Sequence, residues 1–124
     1  MENRKVYCSL SERADEKLLQ NFMEKFNSIS KTPYRCVTWH SCDKSGSPIY
    51  HTNVIMALLH DHAVLCTASI PDPDERARVV SELTSPELNT RAKTLIDISY
   101  QEMLDMAGNM LMVHGKHGHA LILS

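Results

Sequence analysis

Between Ile49 and Ser69 the chain carries two apolar runs, Ile49 to Leu59 and Ala63 to Ser69, parted by the polar triplet His60-Asp61-His62. Runs this apolar have to be buried, and so short a break leaves room for little beyond a reversal. They are predicted to form a hairpin or two neighbouring buried strands. The turn before them, Asp43-Lys44-Ser45-Gly46-Ser47-Pro48, is rich in residues that tolerate unusual backbone angles. That turn and the aliphatic and aromatic content favour strand over helix for Ile49 to Leu59. Such a pair needs covering, and amphipathic segments flank it. Glu12 to Phe26 sets Leu18, Leu19, Phe22, Met23 and Phe26 at helical spacing, with Ser11 placed to cap its first turn. Asp74 to Leu83, after the break Pro71-Asp72-Pro73, presents Val79, Val80 and Leu83 on one face.

The remaining segments complete an alternating order. Val6 to Leu10 and Tyr34 to His40 read as strands around the first helix, with Asn27 to Pro33 as a loop. After a polar loop from Ser85 to Lys93, Leu95 to Ile98 is a strand, Ser99 caps a short helical turn reaching Ala107, and Gly108 breaks it. Met110 to Val113 and His119 to Leu123 are strands around His114-Gly115-Lys116-His117-Gly118. The class is mixed α/β, and the order repeats a unit of strands, a helix and a further strand. At 124 residues the chain is one domain by length, with a strand-helix-strand portion at 1–48 and a ββαβ unit plus hairpin at 49–124.

Thirteen basic against fifteen acidic side chains give a formal charge of −2, with no basic surplus for nucleic acid or an anionic membrane. Met1 to Lys5 is polar and charged, so no secretory hydrophobic region is read there, and no apolar run reaches the ~20 residues of a membrane helix. The four cysteines, Cys8, Cys36, Cys42 and Cys66, form no CxxC pair and no small-domain disulfide spacing. Reduced thiols in the cytoplasm are therefore the expectation, with an organelle interior left open.

Seven histidines invite a metal reading. His60 and His62 are spaced to share a strand face, and His114, His117 and His119 crowd a glycine-bearing turn. Without CxxC or HExxH, surface turns that happen to hold histidine are the better reading, and neither a metal nor another cofactor is expected. Cys66 and Cys8 lie in strand runs that suit buried, inert thiols, while Cys36 and Cys42 flank Val37-Thr38-Trp39-His40; none makes a convincing nucleophile. Met103, Met106, Met110 and Met112 read as core filler. His51 differs. Read at the start of a strand directly after a turn, it can reach a cleft while its backbone holds it, which suits acid–base work.

Several stretches, in order along nearly the whole chain, resemble the amidinotransferase-like branch of the guanidine-modifying (pentein) superfamily, in particular the citrulline-utilisation hydrolases. Gly46-Ser47-Pro48-Ile49-Tyr50-His51-Thr52-Asn53-Val54-Ile55-Met56 is similar to that branch's G-x-P-I-Y-H-T-N-V-M-M signature. Ala63-Val64-Leu65-Cys66 through Ser69-Ile70, with Arg76 after it, and Ala107-Gly108-Asn109-Met110-Leu111, preceded by Ile98-Ser99 and Gln101, also resemble it. Cys8-Ser9-Leu10-Ser11-Glu12-Arg13-Ala14 resembles its C-L-S-P-R-T segment, with Glu12 in place of proline.

The resemblance implies a partial pentein, an α/β propeller of which about two ββαβ units are present. It also implies a chemistry in which a cysteine thiolate attacks a guanidinium or ureido carbon. A histidine then protonates the leaving amine and activates water. His51 matches that histidine, and Asn53 is expected to contact substrate, mildly favouring a neutral ureido group over a guanidinium. The family's cysteine lies in a glycine-rich segment near the C-terminus, whereas this sequence stops at Leu121-Ile122-Leu123-Ser124. The expectation is a truncated or degenerate member acting on arginine- or citrulline-like compounds. Alone it would be inactive, pairing with itself or with a complementing chain. A non-catalytic interaction module and a small oligomeric thiol hydrolase are the alternatives.

Overall fold

The computed structural model describes residues 3–123; Met1, Glu2 and Ser124, which include the start of the expected polar N-terminus, lie outside the described residues. Strand β1 (Lys5–Leu10) leads through helix α1 (Glu16–Ile29) to β2 (Arg35–His40). β1 and β2 pair in parallel, from Lys5 opposite Arg35 to Leu10 opposite His40. A parallel pair requires a crossover rather than a tight turn, and α1 supplies it. Its start is shifted from the predicted one. Asp15, not Ser11, is the N-cap, accepting from the Leu18 amide at 2.8 Å. Ser11 is drawn elsewhere: its backbone closes a turn with Ala14, and its hydroxyl donates to the Tyr50 carbonyl at 3.1 Å. Of the predicted apolar stripe only Met23 is buried, while Leu18 and Phe22 stay 69% and 55% exposed.

The predicted turn at 43–48 is present, with the Asp43 carboxylate accepting from the Ser45 and Ser47 amides and Gly46 at a φ of 84°. The strand predicted for Ile49 to Leu59 is corrected. Thr52–Ile55 is one turn of helix, α2, and the strand β3 is only Met56–Leu58. Tertiary bonds override β propensity there. The Thr52 hydroxyl accepts from the Ser9 amide at 2.9 Å, and the Ile55 carbonyl accepts from Cys66 N–H at 3.0 Å.

β3 turns tightly into β4 (His62–Leu65), which pairs with it antiparallel, so the predicted hairpin forms. β4 is shorter than predicted because Thr67–Ser69 winds into a single 3-10 turn. Helix α3 (Pro73–Thr84) is capped by Asp72 and returns the chain to β5 (Thr94–Asp97), parallel to β4. Residues 56–97 thus form one complete ββαβ unit. Helix α4 (Tyr100–Leu104) follows with Ser99 as its cap, as predicted. β6 (Met110–Gly115) and β7 (Gly118–Leu123) close an antiparallel hairpin. The strands form separate sheets of two, three and two, a mixed α/β arrangement that fits a pentein-like fragment.

The core gathers Val37 and Trp39 of β2, Ile55 of α2, the Ala63–Cys66 run, Ile70, and Val79 and Leu83 of α3. Glu82 of α3 ties the first sheet to it. Lys5 is buried, and its ammonium reaches the Glu82 carboxylate at 2.8 Å, the Glu82 carbonyl at 2.6 Å and Asn89 Oδ1 at 2.7 Å. Arg35 grips the same carboxylate with both arms of its guanidinium. These bonds, Arg35 foremost and then Lys5, hold the Glu82 carboxyl down from an ordinary 4.5 to about 2.

Candidate functional site

His51 stands at the N-cap of α2 rather than at the mouth of a strand, with extended backbone (φ −125°, ψ 122°). Its imidazole is exposed and makes no capping bond, while its carbonyl accepts from the Val54 amide at 3.1 Å. Asn53, two residues on, is likewise exposed on the same turn. The walls around this turn come from distant parts of the chain. β1 contributes the Ser9 amide on Thr52, and the segment after β1 contributes the Ser11 hydroxyl on the Tyr50 carbonyl. The residue after β4 contributes the Cys66 amide on Ile55. The α4–β6 connection contributes Gly108, packed so closely that an added Cβ would lie 2.3 Å from the Val54 carbonyl oxygen. The other three stretches that carry the family resemblance therefore each send a residue to the turn borne by the fourth.

Arg13 is a neighbour that sequence reasoning quoted without assigning it a role. Its guanidinium lies over the Tyr50 ring, 5.7 Å from the centroid, and sets a positive charge beside the residue preceding His51. The available signal was its place three residues past β1 within the resembling segment.

Three of the four thiols do not complete this site as activated nucleophiles. Burial pushes the Cys8, Cys36 and Cys66 thiols up, and Cys66 is fully buried. A raised pKa keeps the sulfur protonated and unreactive. Cys42 is half-buried beside a hollow of about 450 Å³ whose lining includes Ser11, Asp15, Glu16 and His40. His40 Nδ1 is paired with Glu75 at 3.1 Å. A second cavity, of about 420 Å³, lies at the Lys5 end of β1, lined by Tyr7, Leu58, Lys93, Met112 and His114 among others, and His51 does not reach it.

The histidines weighed for metal binding are partly gathered. The rings of His114 and His119 sit 4.2 Å apart, those of His60 and His119 4.8 Å and those of His60 and His114 6.4 Å, joining the β3–β4 turn to the β6–β7 hairpin. His62 and His117 stay exposed. Among the described residues no group of three or more His, Cys, Asp or Glu side chains is arranged to hold a metal ion. Of the methionines read as core filler, Met103 is buried and Met110 packs against the core. Met106 is exposed, and Met112 accepts the His60 amide on its sulfur at 3.2 Å. Among the described residues no helix is long and apolar enough to cross a membrane.

Comparison with curated proteins and with solved structures gives no match. Comparison with protein families matches the whole chain, residues 1–124, to the family described as N,N dimethylarginine dimethylhydrolase, eukaryotic. With His51 and the motif stretches gathered round α2, that match over the full length settles the kinship: the chain belongs to the eukaryotic N,N-dimethylarginine dimethylhydrolase family, within the pentein superfamily of guanidino-modifying hydrolases.

Proposed function

We propose that this chain carries the histidine portion of a hydrolase that cleaves a C–N bond of a guanidino or ureido group, with N-methylated arginine as the substrate class the family name indicates. The observation that carries the reading is the convergence of three separate motif stretches on a fourth, the turn bearing His51. An exposed imidazole on a backbone held from several sides suits proton transfer at a substrate nitrogen. In this reading a thiolate attacks the guanidino carbon, His51 protonates the departing dimethylamine, and His51 then takes a proton from the water that releases a ureido product. Asn53 contacts the substrate without adding charge, which suits the ureido end of the reaction and the citrulline-type branch its motif resembles. The thiolate comes from outside Cys8, Cys36 and Cys66, whose thiols burial holds protonated. With Cys42 not recruited as the nucleophile, the chain on its own is inactive in this reading.

The test is incubation with N,N-dimethylarginine, arginine and citrulline, assayed for ureido product, amine and ammonia. The assay is run first on the chain alone and then with a pentein segment bearing the cysteine. Activity that appears only in the mixture, and is lost in His51→Ala, supports the reading. Turnover that survives His51→Ala overturns it. A second reading, a local thiol enzyme, is favoured by the hollow that brings Cys42 to His40, Asp15 and Glu16. Turnover by the chain alone that disappears in Cys42→Ala would select it.

A further inference from the structure

We infer that Thr52, Ser11 and Gly108 are positioning residues that together clamp the one-turn helix α2 and so aim His51. The inference rests on the acid–base role proposed for His51 but concerns only how that side chain is held. A single helical turn has no stability of its own, because nucleation fixes several dihedrals for one hydrogen bond. The His51 imidazole makes no bond that caps the turn. Its direction is therefore set through the backbone, and the backbone is held by two separate parts of the chain. From β1 and the segment after it, the Thr52 hydroxyl accepts from the Ser9 amide at 2.9 Å, and the Ser11 hydroxyl donates to the Tyr50 carbonyl at 3.1 Å. These contacts bracket His51 in sequence. From the α4–β6 connection, Gly108 abuts the Val54 carbonyl, with no room for a methyl group. The Thr52 hydroxyl also opposes the upward push of burial on the Cys8 thiol. Valine matches threonine in shape but cannot make these bonds, whereas serine keeps the hydroxyl.

The test is carbon–proton NMR of the full chain with labelled histidine, the His51 ring signal being assigned by its loss in His51→Gln. In Thr52→Val the His51 signal is expected to shift by more than its linewidth, and Thr52→Ser is expected to restore it. The His62 and His117 signals, from exposed rings on β4 and the β6–β7 turn, should stay in place throughout. Gly108→Ala should move the same His51 signal; if that variant fails to fold, the Thr52 pair still decides. An unmoved His51 signal in folded Thr52→Val overturns the clamp. So does a shift that serine fails to reverse, or one shared equally by His62 and His117. Failure of the hydrolase reading would show instead in the substrate assays, which these signals do not report.

Discussion

Glu82 takes charge from two strands at once, and its two partners differ in kind. Arg35 is half exposed, so its bond works in water, but the Lys5 side chain is only 1% exposed and depends on the carboxylate for compensation. Removing one member of a buried pair leaves a stranded charge, so Glu82→Gln is expected to cost about 3 kcal/mol in a urea titration at neutral pH. The pH dependence has a definite sign. A carboxyl whose folded value is depressed to about 2 stabilises the native state fully above its ordinary 4.5, and that contribution fades as the pH falls through about 2. Acid titrations of the two proteins should therefore converge over that window; a gap of constant size would sink the assignment. None of this was legible beforehand, because Lys5 and Glu82 lie 77 residues apart and nothing in either neighbourhood marks a partner. His51 could be singled out as a candidate, since a specific local motif surrounds it. Its setting was not legible, because the contacts that turn Thr52–Ile55 into a helix come from Ser9, Cys66 and Gly108.

At the scale of elements, local signals were read well at two places where the chain bonds to itself over a short range. Asp43 with its turn, and Ser99 at the start of α4, are short-range devices that tertiary contacts did not displace. The Ser99 hydroxyl accepts from the Glu102 amide at 3.2 Å, and the Glu102 carboxylate accepts from the Ser99 amide at 2.7 Å. α4 spans Tyr100–Leu104 and buries little besides Met103, so it leans on this reciprocal cap. Ser99→Ala is expected to lower stability by about 1 kcal/mol, with Ser99→Asp recovering most of it, as read by thermal or urea unfolding. Equal stability of the alanine variant and the parent would show that packing of Met103 and Tyr100 holds the helix unaided. Ser11 shows the opposite case. It has the right chemistry for a cap, but Tyr50 competes for its hydroxyl, and Asp15 takes the position.

For the molecule as a whole, the strand order was readable from hydrophobic patterning, and one ββαβ unit stands complete at 56–97. Patterning could not say which apolar faces would find cover. The β6–β7 hairpin leaves Leu111, Leu121, Ile122 and Leu123 exposed, and α1 leaves Leu18 and Phe22 exposed, Leu111 and Leu123 each by more than 60%. A two-stranded hairpin is marginal in water unless a further strand or helix covers it, and β7 pairs on one edge only. Exposed apolar side chains gathered on one uncovered element mark association sites. We therefore expect the chain to self-associate, or to bind a complementing chain, through this hairpin. Sedimentation velocity of the purified chain should show a weight-average mass that rises with concentration. The paired substitution Leu111→Glu and Ile122→Glu, at positions that face each other across the ladder, should return it to a monomer while the circular dichroism of the ββαβ unit persists. A monomer that stays monomeric up to the highest soluble concentration would refute the expectation. Association that survives the double substitution would move the interface to the uncovered face of α1, where Leu18→Glu and Phe22→Glu would be the deciding pair.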